Sequence, residues 1–137
     1  MDKTKVMAYF SAFGDNFPLE EVTNGLDVEP TETYKKGDVI KTFATKILRR
    51  KETSWTLSTG YQESLDINEQ LDVILKSLKE KTKELLQLKK KYDLQFQFMI
   101  VIEIENNDKP AMYLQKNIID FSSSIDAEIQ FDLYVYS

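Results

Sequence analysis

The sequence predicts one α+β domain: a two-layer sandwich whose mainly antiparallel five-stranded sheet is packed by one long helix and several short ones. Three observations predict it. Residues 5–13, 94–105 and 127–136 alternate with the period of two that a strand imposes. Residues 67–92 instead repeat their apolar side chains at helical spacing. The signals follow one another in the order βαββαβαβ, with no linker, repeat or low-complexity tract to divide residues 1–137 into two domains.

The first element is a strand over residues 5–13. Val6, Ala8, Phe10 and Ala12 alternate with Met7, Tyr9, Ser11 and Phe13, and both sets are largely apolar. Such a strand belongs inside a sheet, with neither face freely solvated. Gly14-Asp15-Asn16 marks a turn. A helix of about two turns follows. Pro18 opens it, Glu20 and Glu21 lie in its first turn, where the dipole favours acids, and Asn24-Gly25 closes it. Residues 27–37 read as loop, extended at Pro30 and turned at Lys35-Lys36-Gly37-Asp38. Two strands rich in threonine and aromatic residues are expected near 39–48 and 54–59, joined around Arg50-Lys51-Glu52.

The longest expected element is a helix over residues 67–92. Asp66-Ile67-Asn68-Glu69 has the form of a capping box. Ile67, Leu71, Ile74, Leu75, Leu78, Leu85, Leu88 and Tyr92 make one apolar stripe, and Asp72 and Lys76 form a favourable i,i+4 pair. Lys89, Lys90 and Lys91 meet the negative end of the dipole. Unbroken, such a helix runs about 35–40 Å, enough to cross a whole sheet. The stripe could instead drive a coiled-coil dimer, but Lys81 and Thr82 interrupt it, and a core needs such a helix. The strand over 94–105 is apolar on both sides at its middle, which places it centrally. A loop at 106–110 and a short helix at 117–123 lead to the closing strand. There Ala127, Ile129, Phe131, Leu133 and Val135 are expected to face inward, with Glu128, Gln130, Asp132, Tyr134 and Tyr136 facing the other way.

Composition removes whole classes of chemistry. The chain has no cysteine and no histidine, which excludes disulfides, thiolate nucleophiles, zinc-thiolate sites, Ser-His-Asp hydrolysis and histidine-based metal sites. Catalysis by carboxylates alone stays open, as in glycosidases, but the residue vocabulary favours a non-enzyme. Glycines stand only at 14, 25, 37 and 60, without phosphate-loop or dinucleotide spacing, so no cofactor is expected. Net charge is −5, with nine basic and fourteen acidic side chains in residues 61–137. A nucleic-acid binder presents a net basic face; here the basic cluster outside the long helix is only Lys46-Ile47-Leu48-Arg49-Arg50-Lys51, and no nucleic acid is expected. No stretch approaches the roughly 18–20 apolar residues of a membrane span, and residues 1–5 lead into no apolar leader. The expectation is a cytoplasmic protein that stays off membranes.

Phe17-Pro18-Leu19-Glu20-Glu21-Val22-Thr23-Asn24-Gly25-Leu26, Pro30-Thr31, Gly37-Asp38 and Arg50-Lys51-Glu52-Thr53-Ser54-Trp55 stand in sequence along the chain. In these elements, and on through Glu63-Ser64-Leu65-Asp66 to the closing acidic-aromatic strand, the chain resembles a family of bacterial proteins of about this length known only as a domain of unknown function. The resemblance implies a bacterial cytoplasmic protein with no established activity. Some small families of this kind act as immunity or regulatory partners.

Three groups of residues are candidates for function. Trp55 with Arg49 and Arg50 suits an aromatic anchor paired with a guanidinium, or else a core tryptophan capped by arginine. Asp38 could turn a carboxylate toward a cleft with Arg50 and Trp55, or simply satisfy its own turn. Glu103, Glu105, Glu128, Gln130 and Asp132 could pair across two strands for acid–base chemistry or a divalent cation, or form a solvated face. With Tyr134 and Tyr136, that face suits docking, since tyrosine is enriched at interfaces. The reading that follows is a monomer or homodimer that binds a protein partner, immunity-like or regulatory, through Glu128, Asp132, Tyr134 and Tyr136. The other reading is a small-ligand binder or carboxylate-dependent enzyme around Trp55, Arg50 and Asp38.

Overall fold

The even-numbered side chains of the first strand decide which face of the sheet is dry. In the computed structural model, which describes residues 2–136, the chain runs β1 (Lys5–Gly14), α1 (Leu19–Leu26), β2 (Glu32–Tyr34), β3 (Val39–Thr42), β4 (Ile47–Arg49), β5 (Thr53–Ser58) and β6 (Gln62–Glu63). It continues α2 (Ile67–Leu78), α3 (Thr82–Tyr92), β7 (Gln95–Ile104), α4 (Lys116–Ser124) and β8 (Glu128–Val135). The result is a mixed α+β fold with four helices and a mainly antiparallel sheet among the described residues.

Strand β1 is the organising element. It pairs antiparallel with β7 from Lys5 opposite Glu103 to Phe13 opposite Gln95, and with β5 and β6 along its other edge. The sheet order is β2-β5-β1-β7-β8, with β6 also on β1. Val6, Ala8, Phe10 and Ala12 are fully buried, and across the register Phe96, Phe98, Ile100, Ile102 and Trp55 are buried with them. Phe10 sits 5.2 Å from Phe98 and 5.5 Å from Phe96 between ring centroids, and Phe121 of α4 meets Phe98 at 6.2 Å. Helix α2 adds Ile67, Leu71, Ile74, Leu75 and Leu78 to this cluster, and α1 adds Leu19, Val22 and Leu26.

Three expectations about helices change. The single helix over 67–92 is two, interrupted between α2 and α3. Residues 79–84 read Lys-Glu-Lys-Thr-Lys-Glu, so no apolar side chain carries the stripe across this stretch. The Lys81 N–H turns back to the Leu78 carbonyl, three residues away, and the chain restarts as α3 when the Leu85 N–H reaches the Lys81 carbonyl. Freed from the line of α2, α3 lies against α1. A Cβ added at Gly25 would stand 3.3 Å from Leu88 Cδ1, so the glycine expected to end α1 instead allows close helix approach. The left-handed closing position belongs to Asp27, with φ 54°. The cap of α2 is as its sequence suggests at Asp66, whose carboxylate accepts from the Asn68 N–H at 3.0 Å. Glu69 accepts from Ser64 Oγ rather than reaching back to the cap.

The sheet departs from the sequence reading in three places. It has six strands rather than five: Glu32–Tyr34 pairs where a loop was expected, Gln62–Glu63 pairs where no element was assigned, and the segment expected at 39–48 leaves the sheet. The strand expected over 39–48 is folded in half, as β3 and β4 make a separate two-stranded ribbon closed between Phe43 and Lys46. Strand β8 pairs parallel to β7, and α4 lies within the crossover that a parallel pair requires. Phe131, Leu133 and Val135 do share the core face, opposite Ile100, Ile102 and Ile104. Yet they are 44%, 48% and 64% exposed, because β8 is the outermost strand and lies beyond the buried cluster.

This difference is measurable. Phe98→Ala is expected to cost about 3–5 kcal/mol in urea unfolding, as a core truncation, whereas Phe131→Ala costs about 1 kcal/mol or less.

Candidate functional site

Alternation sends the odd-numbered residues of β1 to the opposite face, and the register fixes what surrounds them. One row across the sheet reads Glu32, Thr56, Ser11, Gln97, Glu128. The next reads Ser58, Tyr9, Met99, Gln130. Beyond it come Met7, Val101 and Asp132, then Glu63, Lys5, Glu103 and Tyr134. At the other end Tyr34 joins Ser54, Phe13 and Gln95. This is an acidic, hydroxyl- and tyrosine-bearing surface. A concavity of about 440 Å³ lies over it, lined by Tyr9, Ser11, Glu32, Tyr34, Ser54 and Thr56 among others.

Its groups act on one another. Tyr134 Oη donates to Asp132 Oδ2 at 2.9 Å, and Gln130 Nε2 donates to Glu128 Oε2 at 3.2 Å. The Tyr134 phenol is held above its ordinary range, first by this hydrogen bond and then by the Asp132 charge. Tyr9 is raised first by burial and then by Asp132, Tyr34 and Glu32. Tyr61 is raised by burial, then by Glu103, Tyr136 and Asp132, which brings it into the same electrostatic neighbourhood. Every charge named as a cause here is negative or a phenol. With Glu32, Glu63, Glu103, Glu128 and Asp132 set against Lys5 in these rows, the surface disfavours further anions and attracts cations.

Of the expected site residues, the structure brings together Glu128, Asp132 and Tyr134 on one face of β8, with Tyr136 next in the same alternation. Glu103 joins them, directly opposite Tyr134. Glu105 lies beyond the end of β7. Among the described residues, no three carboxylates converge as a metal-binding group.

Trp55, Arg50, Arg49 and Asp38 do not converge. Trp55 is fully buried on the core face, and its Nε1 donates to Thr23 Oγ1 at 2.9 Å. No arginine caps it: the Arg50 guanidinium lies 3.9 Å from the Tyr34 ring centroid, and Arg49 Nη1 donates to the Gly37 carbonyl at 3.0 Å. Asp38 serves its own turn, with Oδ2 accepting from the Lys35 N–H at 2.8 Å. The pocket that these residues were expected to share is absent from the described structure.

Sequence reasoning missed Tyr9, Glu32, Tyr34 and Tyr61 as members of the surface. Tyr9 was visible in the alternation of β1, but not which neighbours it would have. Glu32-Thr33-Tyr34 is three residues long, too short for its period of two to stand out from the loop around it.

Raised phenols make an alkaline prediction. The folded chain favours neutral tyrosine, so as pH climbs past the ordinary phenol value the unfolded chain loses protons first and stability falls. Below that window the effect is absent. Tyrosinate absorbance should therefore titrate late in the native protein, and Asp132→Asn should move the Tyr134 component back toward the ordinary value. Thr23→Val, which strands a buried indole N–H, is expected to lower stability by about 1–3 kcal/mol, read by denaturant melts.

No helix among the described residues is long and apolar enough to cross a membrane. Neither the curated proteins nor the solved structures include a match to this chain. Residues 3–136 match a domain of unknown function, DUF4279, over nearly the whole length, and the chain belongs to that family.

Proposed function

We propose that this is a non-enzymatic protein-interaction domain that receives a cationic protein surface on the open face of its sheet. The observation that carries the reading is the one-sided burial of the sheet. The core lies on the even-numbered face of β1 and β7, while the odd-numbered face carries Tyr9, Tyr34, Tyr134, Glu32, Glu103 and Asp132 without a packed layer of its own. Tyrosine offers a large amphipathic contact area at low entropic cost, and a carboxylate beside it selects a basic partner. An immunity-like or regulatory role, in which the domain masks a basic surface of another protein, is one form of this function.

The test is capture with and without the charge. The wild-type protein should retain a partner from cells that carry its gene, and Glu128→Lys with Asp132→Lys should lose it. Both side chains lie on the outermost strand, so circular dichroism should show the fold intact. A bait that captures nothing beyond the blank resin, or the same protein equally well after charge reversal, rules the proposal out.

A further inference from the structure

The ribbon made by β3 and β4 is the part of the molecule least explained by its own core. Every residue from 35 to 49 is exposed, so the ribbon does not rest on its own domain. It nevertheless carries Val39, Ile40, Phe43, Ile47 and Leu48, all between 38% and 53% exposed. A lone two-stranded ribbon is marginal in water, and contiguous exposed apolar side chains mark a surface meant to be covered. Its base is well held. The Gly37 N–H donates to the Arg50 carbonyl at 2.9 Å and the Arg50 N–H to the Asp38 carbonyl at 2.8 Å, with Gly37 at φ 93°. The arm thus continues the β2–β5 pair beyond the end of the sheet, where Gly14 meets Thr53.

Charge says what covers it. Seven of the eighteen basic side chains lie in residues 35–51, with Asp38 the only acid among them, although the chain as a whole is at −5. The open sheet face is the acidic counterpart. One contact between the two already exists within the chain: Arg50, at the foot of the arm, stacks on Tyr34 of the face.

We propose that the β3–β4 arm of one copy docks on the acidic tyrosine face of a second copy, and the second copy's arm on the first, giving a reciprocal arm-exchanged homodimer. This rests on the open face being the docking surface, and it names the occupant. Lysines of the arm meet Asp132, Glu128 and Glu103, while Phe43 and Ile47 are covered by tyrosine rings. The two contacts are identical by symmetry, so weak ones add.

A charge swap tests it. One variant carries Lys41→Glu and Lys46→Glu on the arm; the other carries Glu128→Lys and Asp132→Lys on the face. Sedimentation of the full chain at low salt should show a wild-type dimer that weakens as salt rises. Each variant alone should be monomeric, with dimer affinity lowered on the order of tenfold or more. Mixed together, the two should associate, because each arm then meets a face of opposite sign. Emission from buried Trp55 reports that both variants are folded. A wild-type chain that stays monomeric overturns arm exchange and leaves capture by the face standing. A dimer sensitive to the arm but not to the face overturns the exchange, and the capture experiment alone then decides the reading of the face. A dimer indifferent to either pair, or variants that fail to associate on mixing, overturns the exchange.

Discussion

The antiparallel pairing of β1 with β7 is the constraint on which the rest depends. It sets nine consecutive positions of two apolar strands in register, so their even-numbered side chains form one continuous surface from Val6 to Ala12 and from Phe96 to Ile102. Slipping either strand by one residue would exchange that surface for Tyr9, Ser11, Gln97 and Met99. The helices are then placed by what they must cover. Helix α2 supplies its stripe to this surface, α4 brings Phe121 over Phe98, and α1 covers Trp55, whose indole N–H finds Thr23.

Much of this was legible because the periodic segments are long. The ten-residue strands β1 and β7 and the capped start of α2 could be read from alternation, stripe and the Asp66 cap. What failed has physical causes. The apolar stripe lapses after Leu78 and resumes at Leu85 in the same helical phase, so the break at Lys79-Glu80-Lys81 has no proline or glycine to announce it. The closing strand alternates cleanly, but alternation reports which residues share a face and not whether anything lies over it. Phe131, Leu133 and Val135 face the core side and still meet solvent. The site was half legible for the same reason: Glu128, Asp132 and Tyr134 share a strand, whereas Tyr9, Glu32 and Tyr34 join them only through pairing across distant segments.

Charge is distributed unevenly over the fold. The acids of β7 and β8 and the ring of phenols give one face a negative field, and most of the balancing cations of the first sixty residues stand on the projecting ribbon. Trp55, the side chain that most invited a ligand-binding role, is instead a structural pin between α1 and β5. Tyrosine and carboxylate populate the surface opposite the core, and the tryptophan is left to the interior.

The register that joins residue 5 to residue 103 also sets a schedule. During synthesis β1 emerges ahead of its partners, and β5 and β6 can join it once residues 53–63 are made. Its second edge stays open until β7 emerges, beginning 82 residues behind Phe13 at Gln95. Until then, an apolar strand destined for the centre of the sheet is a ribbon edge awaiting its mate, and the nascent chain is open to mispairing before the acidic surface of β7 and β8 exists.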